Sequence, residues 1–468
     1  MFGFRLFILA AVALAYVQCA AARMTVAHRL GARSLPTPEN DPFYTPDDGW
    51  ESAAPGTILK KREITVANSG VFQYGVRGFQ LLYRTNGVNT GDASHTVTTV
   101  IIPENYDKDK LVSANMYEDS YSSNCAPSYS MRKGSKVFND LANSYQMLFI
   151  TTLLHEGWAV TVPDHEGPNN AFTSGRVEGH AILDGIRATL NYKKLGLNSD
   201  AKVIGYGYSG GALATGWAAS LHSQYAHELN VAGWSMGGTV ANVTEWLGYI
   251  DNTTGAGFAL ASLGGLSSSY SELKWVQDNL TSKGRRLLDQ SAQNCMFQNL
   301  WTVGKQKILD DSVFAGGSTF LQNDGALNIL NKLTLGRFSK FVPIAPVFMF
   351  HATHDEVVPF NMAITTADSW CAQGAQIKFL SNTGSEMEHT NTELFNLPNV
   401  IFFMRDRFKG KDFGGQCQYP SSNDPWFNPQ ILGTSAAIYL QQVLDLIGNR
   451  IGGHDSILWD KVHSKQQP

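Results

Sequence analysis

The sequence predicts an α/β fold with a mostly parallel sheet, and three observations support that prediction. From about Gln80 onward, runs of β-forming residues alternate with runs of helical periodicity, as in sheets covered by helices on both faces. The composition is that of a globular protein, with 43% hydrophobic and 16% charged residues in a chain of 468. The chain also contains no internal repeat or low-complexity tract that would interrupt this alternation.

The predicted elements follow one another in regular order. Strands are expected at Val97–Ile102, Leu111–Tyr117, Trp158–Val162, Lys202–Tyr206, Val231–Trp234, Val347–Phe350 and Gln376–Leu380. Helices are expected at Val177–Leu195, Ala212–Ala226, Ala363–Cys371 and Ser435–Leu446.

One long segment interrupts this alternation. More than a hundred residues separate Ser235 from Pro346, where a single crossover helix would suffice. We predict that residues 239–335 form an inserted helical cap, or lid, over the carboxyl edge of the sheet, where open α/β sheets place their sites. The core would then comprise residues 36–238 and 336–468. The alternative is a small separate domain with no role at the site.

The N-terminus predicts secretion. Arg5, the apolar run Leu6–Val17 and the small residues 20–22 match a signal peptide over residues 1–22. Residues 23–35 are a candidate pro-segment. The apolar run is too short to cross a bilayer, and no other stretch approaches a membrane span. We therefore expect an extracellular protein without a transmembrane anchor, and we expect it to be a monomer.

Cysteines and glycosylation sequons agree with an oxidising compartment. Removal of the signal peptide would take Cys19 and leave four cysteines: Cys125, Cys295, Cys371 and Cys417. This even number allows three different disulfide pairings in an oxidising compartment. Three N-x-[ST] sequons fall in the predicted cap and are expected glycosylation sites: Asn242, Asn252 and Asn279.

Charge and ligand patterns limit the partners that we expect. The formal net charge of −4 gives no electrostatic footprint for nucleic acid. Asp164-His165-Glu166 resembles a metal-ligand cluster, but three adjacent side chains on a loop after a strand cannot all point at one ion. We interpret them as loop-bracing residues and expect neither a metal nor another cofactor.

Two segments carry the G-x-S-x-G pattern of a serine nucleophile. Small flanking residues allow a sharp strand-to-helix turn that holds the hydroxyl clear of its neighbours. Gly207–Gly211 places Ser209 in this pattern, and Gly233–Gly237 places Ser235 there. A predicted strand precedes Ser209 and a strong helical stripe follows it, whereas Ser235 leads into the cap. The context therefore favours Ser209.

The order of residues along the chain indicates the remaining catalytic groups. In the α/β-hydrolase fold the nucleophile is followed first by an acid and then by a histidine. His389 lies on a polar loop after the strand 376–380 and precedes a helix-like run at 392–397, whereas His454 and His463 lie in the C-terminal tail. Asp355 follows the apolar strand 347–350 and is the candidate acid. Glu356, Asp368 and Asp324 are less well placed alternatives.

An acyl-transfer site also needs two donors for the oxyanion. The backbone N–H of Gly210, directly after the nucleophile, is the first candidate. The second should come from the loop after an earlier strand, where Asp119 and Ser120 stand in place of glycines. Either the backbone N–H of Asp119 acts, or its carboxyl group is held protonated. Activity lost in Asp119→Asn would support the side-chain role, and activity retained would exclude it.

Several sequence blocks together resemble one family. They are Asn40–Tyr44, Tyr117–Ser120, Cys125–Tyr129, Asp164–Gly167, Ala181–Arg187, Gly207–Gly211, His351 with Asp355 and Val358-Pro359, and Glu388-His389. In these blocks the chain resembles the fungal secretory lipase family over most of its mature length. The resemblance implies an α/β-hydrolase fold with a helical lid.

The same resemblance implies roles for particular residues. It implies Ser209, Asp355 and His389 as the triad, with Asp119 and Gly210 at the oxyanion hole. It also implies the disulfides Cys125–Cys295 and Cys371–Cys417, and a flap over the site at about residues 416–431.

Three functions remain open at this point. The first is a lipase that cleaves triacylglycerol esters at a lipid–water interface. The second is a carboxylesterase, acyltransferase or serine peptidase that acts on soluble substrates. The third is a binding protein on a hydrolase scaffold that has lost its chemistry. The intact set of Ser209, Asp355 and His389 argues against the third.

Overall fold

The computed structural model describes residues 35–136, 141–385 and 387–423. The predicted signal peptide, nearly all of the candidate pro-segment, the predicted helix 435–446 and part of the predicted flap lie outside the described residues. They stay predictions.

A large mixed sheet forms the centre of the molecule. Its strands are β1 (Ile58–Ile64), β4 (Arg77–Asn86), β5 (Ala93–Ile102), β6 (Asp107–Asn115), β7 (Trp158–Pro163), β8 (Lys202–Tyr208), β9 (Val231–Gly237), β10 (Val347–Ala352), β11 (Ile377–Asn382), β12 (Cys417–Gln418) and β13 (Ser421–Ser422). The order is β1-β4-β5-β7-β6-β8-β9-β10-β11-β12, with β13 beside β11. The short strands β2 (Ala67–Asn68) and β3 (Phe72–Gln73) pair separately.

Twelve α-helices accompany these strands within the described residues. They are α1 (Pro127–Ser130), α2 (Leu141–His155), α3 (Gly175–Asn191), α4 (Gly210–Tyr225), α5 (Val243–Ile250), α6 (Ala256–Ser269), α7 (Trp275–Asp278), α8 (Ser282–Ser291), α9 (Met296–Thr302), α10 (Asp324–Lys332), α11 (Phe360–Ala372) and α12 (His389–Phe408). Short 3-10 turns lie at Pro38–Asn40, Pro42–Tyr44, Trp50–Ser52, Ser123–Cys125, Lys193–Leu195, Ser271–Leu273 and Gly317–Gln322.

The parallel half of the sheet confirms the sequence prediction. All seven predicted strands are present, each within a few residues of its predicted bounds, and β6 to β11 run parallel to one another. β7, β8 and β10 are almost wholly buried, which explains why they read as continuous apolar runs. Their carboxyl ends meet at one edge, where the loops carry the candidate site residues.

Two features were not predicted from the sequence. β1, β4, β5 and β7 pair antiparallel, so the N-terminal side of the sheet is a meander that begins before Gln80. The helix α12 begins at His389, which was expected on a loop, and continues through Pro398, beyond the short helical run predicted at 392–397.

The long connection from β9 to β10 is helical in the structure. Six α-helices lie there, α5 to α10, and the described residues of this connection make only isolated β-bridges. A disulfide between Cys125 and Cys295 ties this segment to the loop after β6. A second disulfide joins Cys371 of α11 to Cys417 of β12. Among the described residues, none of the helices has the length and apolar character needed to cross a bilayer.

Candidate active site

Ser209 sits at a strained turn between β8 and α4. Its backbone angles, φ 52° and ψ −122°, are unfavourable for any side chain, so the surrounding structure must hold them. Glycines make the turn possible: a Cβ on Gly207 would overlap the carbonyl oxygen of Gly211, and one on Gly211 would overlap that of Asn115. The G-x-S-x-G pattern is therefore explained by close backbone packing around the serine.

His389 bridges the serine and an acid. Its Nε2 atom lies 2.9 Å from Ser209 Oγ, and its Nδ1 atom lies 2.7 Å from Asp355 Oδ2. The three side chains come from the ends of β8 and β10 and from the first residue of α12. They are far apart in sequence, and the parallel sheet brings them to one edge.

Asp355 is held as an ionised acceptor. Its Oδ1 atom accepts hydrogen bonds from the backbone N–H groups of Val357 and Val358, at 2.9 and 2.7 Å. Burial alone would raise the pKa of Asp355, but His389, His351 and the Val358 amide outweigh burial and lower it. The imidazole of His351 lies 3.4 Å from Oδ2 and is also bonded to the carbonyl oxygen of Val358.

The surroundings of His389 favour its protonated form. Burial would lower the pKa of the imidazole, but the charge and hydrogen bond of Asp355 exceed that effect and raise it, with smaller contributions from Glu356 and Glu393. The backbone is fixed as well: the N–H of His389 donates to Glu356 Oε2 at 2.9 Å. Such a group can accept a proton and hold it during a reaction.

Ser235 occupies a different environment. It lies inside β9 and is fully buried, between Tyr206 of β8 and Phe348 of β10 in the strand register. The second G-x-S-x-G pattern therefore belongs to a buried strand, where Gly237 makes room for the ring of Phe350. Of the two motifs, only the one at Ser209 has a histidine against its hydroxyl within the described residues.

Asp119 and Gly210 lie in contact beside Ser209. A Cβ on Gly210 would overlap Oδ1 of Asp119, so only glycine leaves room for that carboxyl group. Asp119 is 3% exposed and has a positive φ of 47°, a second strained backbone next to the serine. The structure therefore brings together the two residues that the sequence proposed for the oxyanion hole.

Other carboxyl groups are buried close to Asp119. Burial, followed by the charges of Glu118, Glu178 and Asp119, raises the pKa of Glu166 well above its usual range. Burial likewise raises the pKa of Glu178. Glu166 and Glu178 are therefore held in their neutral form.

Glu393 was missed by the sequence analysis. It lies one helical turn after His389 on α12, and its carboxyl group accepts from the hydroxyls of Tyr117 and Tyr206, both at 3.4 Å. Burial raises its pKa to about 8, although His389 and tyrosine hydroxyls, including that of Tyr145, counteract it. The only signal in the sequence was its spacing of four residues from His389, which places both side chains on one face of a helix. Its other partners are distant in sequence.

The loop Asp164–Gly167 braces the site. Asp164 Oδ1 accepts from the backbone N–H of Ser128 at 2.8 Å, and His165 Nε2 lies 2.7 Å from the carbonyl oxygen of Met116. Burial lowers the pKa of His165 to about 4, so this imidazole is neutral. Among the described residues no group of three or more acidic, histidine or cysteine side chains is arranged to hold a metal ion.

The predicted glycosylation residues lie in the helical segment. Asn252 and Asn279 are exposed, whereas Asn242 is half-buried and caps α5 by accepting from the N–H of Glu245 at 3.4 Å. An attached glycan would meet less obstruction at the first two positions. Glycosylation stays a prediction at all three.

Comparison with known proteins identifies the family. The secretory lipase family model matches residues 131–415. The chain belongs to the secretory lipase family. It is 98% identical to a secreted triacylglycerol lipase of Malassezia furfur over the full length of both chains. It is 55% identical to a secreted triacylglycerol lipase of Malassezia globosa, over 92% of each chain.

Solved structures agree with the fold. The chain matches Candida antarctica lipase A with 32% identity and a TM-score of 0.78, covering 90% of this chain and 99% of that one. A closed-state structure of the same lipase gives 31% identity and a TM-score of 0.77. The α/β-hydrolase fold that the sequence predicted is thereby confirmed.

Proposed function

We propose that this secretory lipase is an extracellular triacylglycerol lipase that acts through an acyl-enzyme on Ser209. The observation that carries the proposal is the continuous hydrogen-bonded chain from Asp355 through His389 to Ser209 Oγ. Nucleophile, base and orienting acid at such distances are the arrangement that serine acyl transfer requires.

The first half of the reaction forms the acyl-enzyme. Ser209 Oγ attacks the ester carbonyl carbon while His389 Nε2 takes the hydroxyl proton, and Asp355 stabilises the imidazolium. The backbone N–H of Gly210 and a donor from Asp119 face the developing oxyanion. Collapse of the tetrahedral intermediate breaks the bond to the alcohol oxygen, which leaves with the proton from His389.

The second half returns the free enzyme. Water attacks the acyl carbon as His389 takes one of its protons, and a second tetrahedral intermediate forms. This intermediate releases the fatty acid, and His389 returns the proton to Ser209. Asp355 and His389 are buried, so little water reaches the hydrogen bond between them. Their electrostatic attraction is therefore stronger than it would be in water.

The substrate and location are inferred from relatives. Two proteins that share 98% and 55% of their aligned residues with this chain are secreted triacylglycerol lipases. An N-terminal segment typical of secretion and two disulfides agree with an extracellular enzyme. We further propose that residues 239–335 act as a lid at the lipid–water interface, and that the enzyme is a monomer.

Substrate aggregation provides the test of this function. The rate of tributyrin hydrolysis should rise sharply where its concentration passes the solubility limit, and the enzyme should also cleave a long-chain triacylglycerol emulsion. Hydrolysis of a fully dissolved p-nitrophenyl ester is the control for the chemical step. Saturation below the solubility limit, with no activity on the emulsion, would instead indicate a soluble-substrate esterase.

A further inference from the structure

Exposed apolar side chains are concentrated in the helical segment 239–335. The described residues contain six exposed large apolar side chains, and four of them lie in this segment: Tyr249, Phe297, Trp301 and Leu327. Trp301 is 90% exposed, an unusual state for the largest apolar side chain. An apolar surface that is left open marks an interaction site.

Phe297 and Trp301 form one surface on α9. They are four residues apart, so they lie on the same side of the helix. The opposite side is packed: Met296 and Asn299 are buried, and the backbone of Asn299 lies so close to Gly257 of α6 that a Cβ there would clash. The packing of α9 thus fixes Phe297 and Trp301 toward solvent. We call them the α9 surface.

The α9 surface is attached to the active site. The hydroxyl of Ser120, the residue after Asp119, donates to the carbonyl oxygen of Asn294 at 2.9 Å. The next residue, Cys295, forms the disulfide with Cys125 and caps α9. The helix therefore begins at the loop that carries the candidate oxyanion donor.

A second exposed ring, that of Tyr249, is bonded to the loop that carries Asp355. The hydroxyl of Tyr249 donates to the backbone carbonyl oxygen of Asp355 at 3.0 Å, while 43% of the residue stays exposed. Exposed aromatic rings are therefore connected both to the Asp119 side and to the Asp355 side of the triad.

We propose that Phe297 and Trp301 insert into the surface of an aggregated lipid and hold the active site against it. This inference rests on the proposed lipase function, because such an enzyme must meet its substrate at an interface beside the triad. Aromatic rings, tryptophan above all, favour the boundary between water and acyl chains. Lys305 and Lys307, exposed shortly after α9, can extend their ammonium groups to the lipid headgroups.

Ile344 offers a matched control. It is 61% exposed, but it precedes β10, whose other end leads to Asp355. It therefore lies toward the opposite edge of the sheet from the active site. If exposure alone caused lipid binding, Ile344 would contribute as the α9 surface does.

Sedimentation with phosphatidylcholine vesicles tests the inference without using catalysis. The Phe297→Ser/Trp301→Ser variant should lose on the order of 10- to 100-fold in vesicle partitioning, the effect of removing two apolar side chains from the lipid. Ile344→Ser should bind as the wild type does. Hydrolysis of dissolved p-nitrophenyl acetate should be unchanged in both variants.

Several outcomes would overturn the inference. The first is that the double variant binds vesicles as well as the wild type does. The second is that Ile344→Ser loses as much vesicle binding as the double variant. The third is that the double variant abolishes a self-association of the protein while vesicle binding persists.

If the double variant misfolds, the test uses Trp301→Phe instead, because this variant keeps an apolar ring at the same position. Brominated lipid should quench wild-type fluorescence more than that of Trp301→Phe, and equal quenching would contradict insertion. Vesicle binding without triacylglycerol hydrolysis in the wild type would overturn only the proposed function.

Discussion

The hydroxyl of Tyr208 donates to the backbone carbonyl oxygen of His389 at 2.7 Å. Tyr208 directly precedes Ser209, and its ring centroid lies 5.1 Å from that of the imidazole. The residue beside the proposed nucleophile therefore holds the proposed base by its backbone. This bond couples the end of β8 to the start of α12 and fixes the distance that proton transfer depends on.

Removing this bond should misplace the base. We expect Tyr208→Phe to lower kcat by roughly 10- to 100-fold with little change in KM, since about 1 Å of misplacement costs up to that factor. Thermal unfolding should show that the free energy of unfolding falls by about 1 kcal/mol, because one hydrogen bond is lost. Tyr225→Phe is the control, because that hydroxyl bonds to Asp184 at 2.7 Å, at the far end of α4. An equal fall in kcat in both variants would refute the positioning role of Tyr208.

Gly210 should tolerate no side chain. The methyl group of Gly210→Ala would overlap Oδ1 of Asp119 and push that side chain away from the serine. We expect kcat to fall by about 100-fold or more, comparable to the loss of one oxyanion donor, which costs about 3–4 kcal/mol. Steady-state kinetics on a dissolved ester measures this fall. Gly248→Ala is the control, because a Cβ there meets no neighbour. Wild-type kinetics in Gly210→Ala would place the oxyanion site elsewhere.

The acid side of the pH profile should report His389. The imidazole acts as a base only when neutral, and Asp355 raises its pKa above the usual 6.5 despite burial. The kcat/KM for a dissolved ester should therefore fall as the pH drops through a value above 6.5. Asp355→Asn should move this limb to lower pH and reduce kcat by about 10⁴-fold. A limb that stays in place in Asp355→Asn would mean that another group titrates.

Glu393 should make the stability of the enzyme depend on pH. Burial raises its pKa to about 8 from an unfolded value near 4.5, so the unfolded chain releases this proton first. Stability is therefore lost as the pH rises from about 4.5 to about 8. Glu393→Gln, which cannot ionise, should gain in melting temperature relative to the wild type across that interval. A constant difference between the two proteins would show that Glu393 titrates normally.

The sequence predicted much of the fold because the parallel strands are short, buried and apolar. It missed β4 and the antiparallel pairing around it, since β4 is buried along nearly its whole length and lacks an alternating pattern. The helix α12 was predicted too short because Pro398 ends most helical patterns, yet here it lies within the helix.

The candidate site likewise contains residues that the sequence predicted and one that it missed. Ser209, Asp355 and His389 were accessible because each follows a recognisable strand in a fixed chain order. Glu393 was not, since its carboxyl group is defined by contacts with Tyr117 and Tyr206, which lie 276 and 187 residues away. Such long-range contacts leave no local pattern in the sequence.

The most direct test compares the two serines that share the G-x-S-x-G pattern. Ser209→Ala and Ser235→Ala are assayed on tributyrin and on a long-chain triacylglycerol emulsion, with folding checked by thermal unfolding. Ser235 is buried in β9 away from any histidine bond in the described structure, so its loss should leave hydrolysis nearly intact. Ser209→Ala should lose about 10⁴-fold or more in kcat while it stays folded. Activity that survives in Ser209→Ala, or is lost only in Ser235→Ala, would contradict the proposed mechanism.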